Sequence, residues 1–396
     1  MTKAKFADLE DELHSRAAEI AQYSDFGTSG YRTGLRLLLR AFDQDATFTE
    51  VGFNFAYGTV LGTLVARLYA QRGIADAPPA HAPPIRAPLV ITGIPRTGTT
   101  ALHKLLSMDP QFQGLEHWLT DYPMIRPPRA TWPANPAFQA SVAGLDAFFA
   151  AMPQMRKAHD MVADEVGECL DILRQSFVSN RFGSAINVPS YDEWFFAQSE
   201  IPSYHRYADV LRLIGTAEPQ KRWLLKNPGH IAQLEALFAV FPDALVIHTH
   251  RDPVAAIPSL CSTLYMARAM YEGEHTERRL IGPRESSYWR TALDSAAKTL
   301  NAIYTNDHGF RASTWRFCQD KVTPVVLALL IYILSLNHDL YKKISEYHTT
   351  RRILKRWPDA ELAATLGKPL PQKPLISLPD GLVPTPHAIE THASTP

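Results

Sequence analysis

The stretch GIPRTGTT, from Gly93 to Thr100, has residue types and a spacing that suit the binding of an anion. It follows the apolar run PLVIT and leads into the helix-forming run TTALHKLLSM. A strand that turns sharply into a helix aims several backbone N–H groups at one point, and the helix N-terminus adds partial positive charge there. Gly93 and Gly98 permit close approach of an anion. The stretch predicts a phosphate-binding loop; the alternative is a joint whose glycines serve packing only.

The loop departs from the nucleotide-binding pattern GxxxxGK[ST] because Thr99 stands where the lysine is normally found. In ATPases that lysine serves the β- and γ-phosphates, and Mg²⁺ is bound beside it. Arg96 places a planar, permanent cation inside the loop instead. The pattern therefore argues against an ATPase or a small-molecule kinase, although a phosphate ligand is still expected.

A second candidate anion site lies in HTHRDPVAAIPS, which runs from the end of a predicted strand into a predicted helix. Arg251 stands at the carboxyl end of that strand, where ligands collect in open parallel sheets. Asp252 is a candidate N-cap, and Pro253 suits the first helical position. Ser259 follows Arg251 by about two helical turns, so an arginine and a hydroxyl can converge on one phosphate. The alternative is a capped turn with an ion pair.

The elements that would position these groups alternate between strands and helices. Helical spacing of apolar residues covers residues 4–72, and a proline-rich connector follows at 75–88. The predicted strands are 88–92, 222–226 and 244–250. The predicted helices are 99–108, 137–182, 203–215, 231–241 and 253–271, with an extended proline-rich loop at 115–136. This alternation predicts an α/β fold, a parallel sheet flanked by helices.

The same pattern of predicted elements divides the chain into four parts. We expect an N-terminal helical segment at 1–74 packed on the core, an α/β core at 88–300 with a helical insertion at about 137–220, a helical segment at 301–366 and a proline-rich tail at 367–396.

Composition limits the partners. Lys+Arg and Asp+Glu are 40 each, so neither nucleic acid nor a polybasic membrane contact is expected. The three cysteines form no disulfide or metal pattern, and the N-terminus lacks an apolar signal region, which favours the cytoplasm. The longest apolar run, Val325 to Leu336, is twelve residues and too short to span a bilayer. His248 and His250 share one side of a strand but lack a third ligand, so no metal is expected.

GIPRTGTT after a strand, WLLKNPGH before a helix and then FPDALVIHTHRDPVAAIPS together resemble the sulfotransferases that use 3′-phosphoadenosine 5′-phosphosulfate (PAPS). The match is to the large bacterial group of that superfamily and runs from about residue 20 to about residue 300. It implies a P-loop-like sulfotransferase fold and PAPS-dependent transfer without a metal.

The resemblance also implies which residues bind the donor. The 3′-phosphate would be held by Arg251 and Ser259. Better-known members carry a lysine where Arg96 stands, and this lysine contacts the bridging oxygen of the donor. The residues that would hold the 5′-phosphosulfate are Arg96, Thr97, Gly98, Thr99 and Thr100.

Sulfuryl transfer needs a cation for the leaving phosphate and a base for the acceptor. Arg96 suits the first task, and Lys226, at the end of RWLLK, is a second cation that resembles a catalytic lysine of the family; a buried salt bridge is its structural alternative. His230, four residues on, is one candidate base. Many relatives carry their histidine two residues after the lysine, where this chain has Pro228.

Other candidate bases lie in AHDMVADEVGECLDIL. His159 precedes a predicted helix on which Glu165 and Glu168 share a face, and some sulfotransferases use a carboxylate base. A solvated helix face is the plain alternative for these two residues.

The acceptor is expected to be a small, hydrophobic alcohol or phenol, or else an amine, because aromatic residues are plentiful at 115–136 and 194–196. Those aromatics serve equally well as core. A catalytically silent binding protein on the same fold is the second hypothesis, and a P-loop kinase is the third. Nothing in the sequence argues against a homo-oligomer.

Overall fold

A parallel sheet lies at the centre of the described part of the chain. The computed structural model describes residues 5–76, 84–158, 161–305 and 315–318. Neighbouring strands pair in parallel in the order β2-β3-β1-β4-β5, so their carboxyl ends lie along one edge. The strands within the described residues are β1 (Leu89–Thr92), β2 (Phe112–Gln113), β3 (Arg222–Lys226), β4 (Leu245–His250) and β5 (Trp315–Cys318).

The strand register brings the ends of the three central strands together. Ile91 of β1 pairs with Lys226 of β3 on one side and with Ile247 of β4 on the other. Thr92 pairs with His248. The glycine loop after β1 therefore begins between the last residue of β3 and the last residues of β4.

Helices connect the strands and flank the sheet. They are α1 (Glu10–Ala21), α2 (Tyr31–Gln44), α3 (Glu50–Asp76), α4 (Thr99–Leu106), α5 (His117–Asp121), α6 (Pro136–Ala151), α7 (Pro153–Ala158), α8 (Leu170–Leu173), α9 (Asn180–Ala185), α10 (Pro189–Phe196), α11 (Ile201–Gly215), α12 (Leu234–Val240), α13 (Pro253–Glu272) and α14 (Arg278–Thr305). Short 3₁₀ segments are Phe6–Asp8, Arg129–Ala134, Arg174–Ser176, Pro228–Gln233 and Gly273–His275.

The N-terminal helices bury their apolar stripes in the same core as the rest of the α/β unit. On α2, Leu35, Leu38, Leu39 and Phe42 recur at helical spacing and all are at most 1% exposed. Burying one such side chain stabilises the fold by about 1.5–3 kcal/mol. This packing, more than intrinsic helix propensity, accounts for α2.

Several predicted boundaries are confirmed and others are wrong. The strands predicted at 88–92, 222–226 and 244–250 are present within one residue. The loop predicted at 115–136 is not extended throughout, because it contains α5 and the 3₁₀ segment Arg129–Ala134. Trp118 and Trp132 on these two elements pack edge to face at 5.4 Å in the core.

The prediction of a helical segment at 301–366 is wrong at residues 315–318, which form a strand. α14 ends at Thr305, and Trp315–Cys318 pairs with β4 as β5. The apolar run at 325–336 and the tail at 367–396 lie outside the described residues. Within the described part of the chain, no helix has both the length and the apolar character that crossing a membrane requires.

Candidate active site

The glycine loop adopts the backbone conformation that an anion cradle needs. Gly93, Arg96 and Gly98 have φ angles of 140°, 72° and 93°, all in the region that favours glycine. A Cβ atom at Gly93 would collide with the carbonyl oxygen of Thr249 on β4. Helix α4 starts at Thr99, directly after Gly98. The predicted strand, turn and helix are therefore confirmed as structure.

Thr97 fastens the loop to the sheet. Its hydroxyl donates to the Ile94 carbonyl oxygen at 2.7 Å and lies 2.6 Å from the Thr249 hydroxyl. Thr249 Oγ1 in turn donates to the Thr92 carbonyl oxygen at 3.2 Å. Because this hydroxyl is buried and engaged, the backbone of Thr97 is the part left to meet a ligand.

The two predicted anion elements meet at Arg96. Arg96 Nε donates to Ser259 Oγ at 3.2 Å, and Arg251 Nη1 donates to the Arg96 carbonyl oxygen at 3.2 Å. Arg96 and Gly98 are exposed and Arg251 is half-buried. Two guanidinium groups, one hydroxyl and an open glycine loop thus lie together at the carboxyl edge of the sheet.

The start of α13 fixes the second element as expected. Asp252 Oδ1 accepts a hydrogen bond from the Val254 amide at 2.9 Å, and Pro253 is the first helical residue. Ser259 lies two turns further on. The N-cap and the proline set the direction in which α13 leaves β4, and hence where Ser259 stands relative to the loop.

Lys226 is the buried cation of the site. Its side chain is 2% exposed, and Nζ donates to Glu168 Oε1 at 2.5 Å and to Thr100 Oγ1 at 3.3 Å. It therefore touches both the first turn of α4 and a candidate base. The alternative predicted for Lys226, a buried salt bridge, is therefore also observed, because its bond to Glu168 is such a bridge.

Glu165 and Glu168 do not lie on a helix, which corrects the prediction. They belong to residues 163–169, here called the carboxylate turn, before α8 begins at Leu170. Val166 forms an isolated antiparallel bridge with Glu116 and packs where Gly114 leaves room for it. That cross-chain pairing outweighs the helical spacing of the local apolar residues.

Backbone hydrogen bonds hold the carboxylate turn against two neighbours. The His117 amide donates to the Glu165 carbonyl oxygen at 2.9 Å, and the Gly167 amide donates to the Leu115 carbonyl oxygen at 2.7 Å. The Cys169 amide donates to the Lys226 carbonyl oxygen at 3.0 Å. The turn is thereby fixed beside the end of β3.

The two carboxylates of the turn contact different lysines. Glu168 pairs with Lys226, whereas Glu165 Oε2 lies 2.5 Å from Lys104 Nζ on α4. Lys104 is not among the site residues predicted from the sequence. The sequence does place Lys104 one helical turn after Thr100 on α4. It does not show that Lys104 pairs with Glu165, about sixty residues further along the chain.

His230 lies in the core. Its side chain is fully buried, and Nδ1 is 2.6 Å from the Tyr204 hydroxyl. Burial lowers the pKa of His230 to about 3, and burial likewise lowers that of His103, beside Lys226, to about 3. Both rings are neutral at neutral pH. His159, the remaining candidate, lies outside the described residues.

The aromatic residues expected at an acceptor pocket divide between core and surface. Trp118 and Trp132 are buried, whereas Phe196 is 52% exposed and stacks on Tyr288. A cavity of about 470 Å³ lies at the amino end of β3, on the edge opposite Lys226, and Trp223 and Arg86 are among its lining residues. In the described residues no group of three or more His, Cys, Asp or Glu side chains is arranged to hold a metal.

Comparison with known proteins identifies the class. The sequence profile of the sulfotransferase family matches residues 88–309, which include the glycine loop, the carboxylate turn and the start of α13. This match covers more than half of the chain. The chain belongs to the sulfotransferase family.

Solved structures agree with this assignment. The crystal structure of sulfotransferase STF1 from Mycobacterium tuberculosis H37Rv is 32% identical, with a TM-score of 0.75 over 92% of this chain and 99% of that one. Sulfotransferase STF9 from Mycobacterium avium has a TM-score of 0.68 over 91% and 88% at 23% identity, a likeness of fold alone.

Curated relatives match a shorter region. Two proteins named omega-hydroxy-beta-dihydromenaquinone-9 sulfotransferase Stf3, from Mycobacterium tuberculosis and Mycobacterium bovis, are each 30% identical over 194 residues. The alignment covers 46% of this chain and 46% of each relative, so the chain spans about half the length of the curated relatives it matches.

Proposed function

We propose that this protein transfers a sulfuryl group from PAPS to the hydroxyl of a small, hydrophobic acceptor. The observation that carries the proposal is the meeting of the two anion elements at Arg96, through Ser259 on α13 and Arg251 after β4. Two phosphate-bearing ends of one donor call for two adjacent anion sites. Membership of the sulfotransferase family supports sulfuryl transfer as the use of that arrangement.

The described residues fit such a donor. The exposed Gly98 and the first amides of α4 form an anion cradle for the 5′-phosphosulfate, with Arg96 as its cation and Thr99 and Thr100 at the helix start. Arg251 and Ser259 would take the 3′-phosphate. The loop needs no lysine in the nucleotide-binding position, because the donor carries no γ-phosphate.

The transfer is an in-line displacement at sulfur, by analogy with phosphoryl transfer. The acceptor oxygen forms a bond to sulfur, the bond from sulfur to the phosphate oxygen breaks, and its electron pair stays with 3′-phosphoadenosine 5′-phosphate. Arg96 and the loop amides stabilise the charge on that phosphate. Lys226 stabilises the group in transit from the β3 side.

Glu168 is the base in this proposal. It is the carboxylate beside Lys226, with a side chain 21% exposed at the site, so an acceptor hydroxyl can reach it and give up its proton there. His230 is fully buried and bonded to Tyr204. Both carboxylates are paired with a lysine, but the partner of Glu168 is Lys226, the proposed cation for the transferred group, whereas Glu165 faces Lys104 on α4. The geometry therefore favours Glu168 over both. His159 stays a sequence prediction.

The acceptor class rests on two supports. The relatives named above carry the name of a hydroxylated dihydromenaquinone, a hydrophobic molecule with a hydroxyl group. Among the aromatic residues expected at an acceptor pocket, Phe196 is 52% exposed. We also place the protein in the cytoplasm, since the described thiols Cys169 and Cys261 are both free.

Calorimetric titration with 3′-phosphoadenosine 5′-phosphate in the presence of EDTA tests the donor site. Wild type is expected to bind, and Arg251→Ala to bind at least about tenfold more weakly, because a charge-assisted contact is lost. Arg16→Ala, which removes an exposed arginine of α1, is the control. Binding of ATP–Mg²⁺ in place of the nucleotide would overturn the proposal.

Turnover is then tested with ³⁵S-labelled PAPS and two acceptor probes, farnesol and 2-naphthol. Labelled product from either probe supports the proposed function. Tight nucleotide binding without transfer to these or to a wider panel of alcohols, phenols and amines would point to a silent binding protein instead.

A further inference from the structure

The ion pair between Lys104 and Glu165 lies beside the proposed catalytic pair but has no direct part in the transfer. The two side chains are only 12% and 18% exposed, and Nζ and Oε2 are 2.5 Å apart. Breaking an ion pair that is largely removed from water leaves an uncompensated charge, so such a pair resists separation of its two elements. Here the elements are α4 and the carboxylate turn.

The carboxylate turn depends on such contacts because it has no helix or strand of its own. Its backbone bonds run to Leu115, His117 and Trp118 on one side and to the Lys226 carbonyl on another. Asp164 also pairs with the exposed Arg129. Toward α4, which carries the loop threonines, its described ion pair is the one to Lys104. Lys104 lies one turn after Thr100, so both point from α4 toward the same side.

Lys226 cannot fix Glu168 throughout the reaction. In the structure its ammonium group is bonded to Glu168 and to Thr100. The proposed mechanism requires the same ammonium group to contact the sulfuryl group, and its bond to Glu168 weakens as it does so. The bond from the Cys169 amide to the Lys226 carbonyl oxygen still holds the backbone at the end of β3, but another contact must then hold the turn on its α4 side.

We propose that Lys104 is a positioning residue that acts through Glu165. It holds the carboxylate turn on α4, so that Glu168 stays at the acceptor hydroxyl while Lys226 turns toward the donor. One pair, Lys226–Glu168, is exchanged during the reaction, and the other, Lys104–Glu165, is kept. This inference rests on the proposed function.

The test uses Lys104→Met, Lys104→Arg, Glu165→Gln and the Met/Gln double variant. Lys221→Met is the matched control, because Lys221 and Glu218 form a similar pair 2.6 Å apart next to the amino end of β3, away from the site. Four quantities are measured: kcat with farnesol or 2-naphthol, affinity for 3′-phosphoadenosine 5′-phosphate, the melting temperature, and deuterium uptake by the amides of residues 163–169.

The expected result separates catalysis from binding. Lys104→Met and Glu165→Gln each lower kcat by about 10- to 100-fold, because a displaced base loses its alignment. The kcat of the double variant is no lower than that of the less active single variant, since the two residues act as one unit. Nucleotide affinity stays within twofold of wild type, amide exchange in residues 163–169 rises, and Lys104→Arg restores most of the activity.

Two results would overturn the inference. In the first, Lys104→Met keeps the wild-type kcat and the wild-type exchange in the carboxylate turn. In the second, nucleotide affinity and melting temperature fall together with kcat, which would make Lys104 a support of the fold alone. The exchange measurement needs no acceptor. Failure of wild type to bind the nucleotide would count against the proposed function. It is distinguishable from failure of this inference, which the exchange measurement tests.

Discussion

The Nζ atom of Lys226 lies 2.5 Å from Oε1 of Glu168, although the two residues are far apart in the chain. The carbonyl oxygen of Lys226 also accepts the Cys169 amide, so the end of β3 fixes the backbone as well as the side chain of the carboxylate turn. The proposed cation for the transferred group and the proposed base are thus placed side by side.

Replacing Glu168 tests this arrangement directly. In Glu168→Gln we expect kcat to fall by about 10²- to 10⁴-fold, the usual contribution of a general base. Donor affinity should not fall, because the change removes a negative charge beside an anion site and releases Lys226 from its carboxylate partner. The measurements are single-turnover transfer and calorimetry with the nucleotide.

Glu193→Gln, at an exposed position on α10, is the matched control and should behave as wild type. A Glu168→Gln variant with wild-type kcat would move the role of base to another residue. His159 would then be the next candidate.

Replacing Arg96 separates charge from geometry. Arg96→Ala should lower kcat by about 10²- to 10³-fold, because a cation at the leaving phosphate is lost. Arg96→Lys keeps the charge but gives up the bond from Nε to Ser259, so we expect an intermediate rate. Equal rates for the Ala and Lys variants would show that charge at this position does not assist departure of the phosphate.

The sequence predicts the frame of the site well, for identifiable physical reasons. Runs of branched apolar residues bounded by turn residues gave β1, β3 and β4, and the glycine and proline signals gave the loop and the start of α13. β2 has two residues, too few to show a period. The predicted strands, the loop and the start of α13 depend on local sequence, so local rules were sufficient for them. The two residues of β2 are too few for the same rules to apply.

The carboxylate turn could not be predicted in this way. Val166, Leu170 and Leu173 have helical spacing, yet Val166 pairs with Glu116 and fits against Gly114. The partner of Lys104 is likewise set by tertiary contacts. The burial of His230 depends on packing beside Tyr204, so the sequence alone left it as a candidate base.

Replacing Gly93 tests whether the loop conformation is obligatory. In Gly93→Ala the added methyl group meets the Thr249 carbonyl oxygen at a φ angle of 140°. We expect destabilisation of at least about 2 kcal/mol and loss of nucleotide binding, since the loop must shift. Thermal melting and calorimetry measure the two effects.

Gly58→Ala provides the opposite control. Gly58 lies within α3, and a Cβ atom there meets no neighbouring atom within 4 Å. The substitution should stabilise the protein by about 0.5–1 kcal/mol through helix propensity. If Gly93→Ala binds the nucleotide as wild type does, the loop geometry is not what selects the ligand.

Tyr204→Phe tests the structural role of His230. The substitution leaves Nδ1 of a fully buried ring without its hydroxyl partner. We expect a loss of about 1–3 kcal/mol in stability, with kcat of the folded protein within a few-fold of wild type. Urea melts and kcat at saturating substrate measure the two. A large fall in kcat at unchanged stability would return His230 to the catalytic machinery.

Glu200 makes the stability of the protein depend on pH. It is 7% exposed at the start of α11, and burial raises its pKa to about 8 from an ordinary value of 4.5. Between these two pH values the folded protein keeps a proton that the unfolded chain releases, so stability falls as pH rises. The stability that the bound proton of Glu200 contributes to the folded state is fully present below pH 4.5 and is lost above about pH 8. Glu200→Gln should flatten this slope and stabilise the protein at pH 8 by up to about 4 kcal/mol. Melting curves from pH 5 to pH 9 measure it, with Glu193→Gln as control; a variant that keeps the wild-type slope would assign the pH dependence to another group.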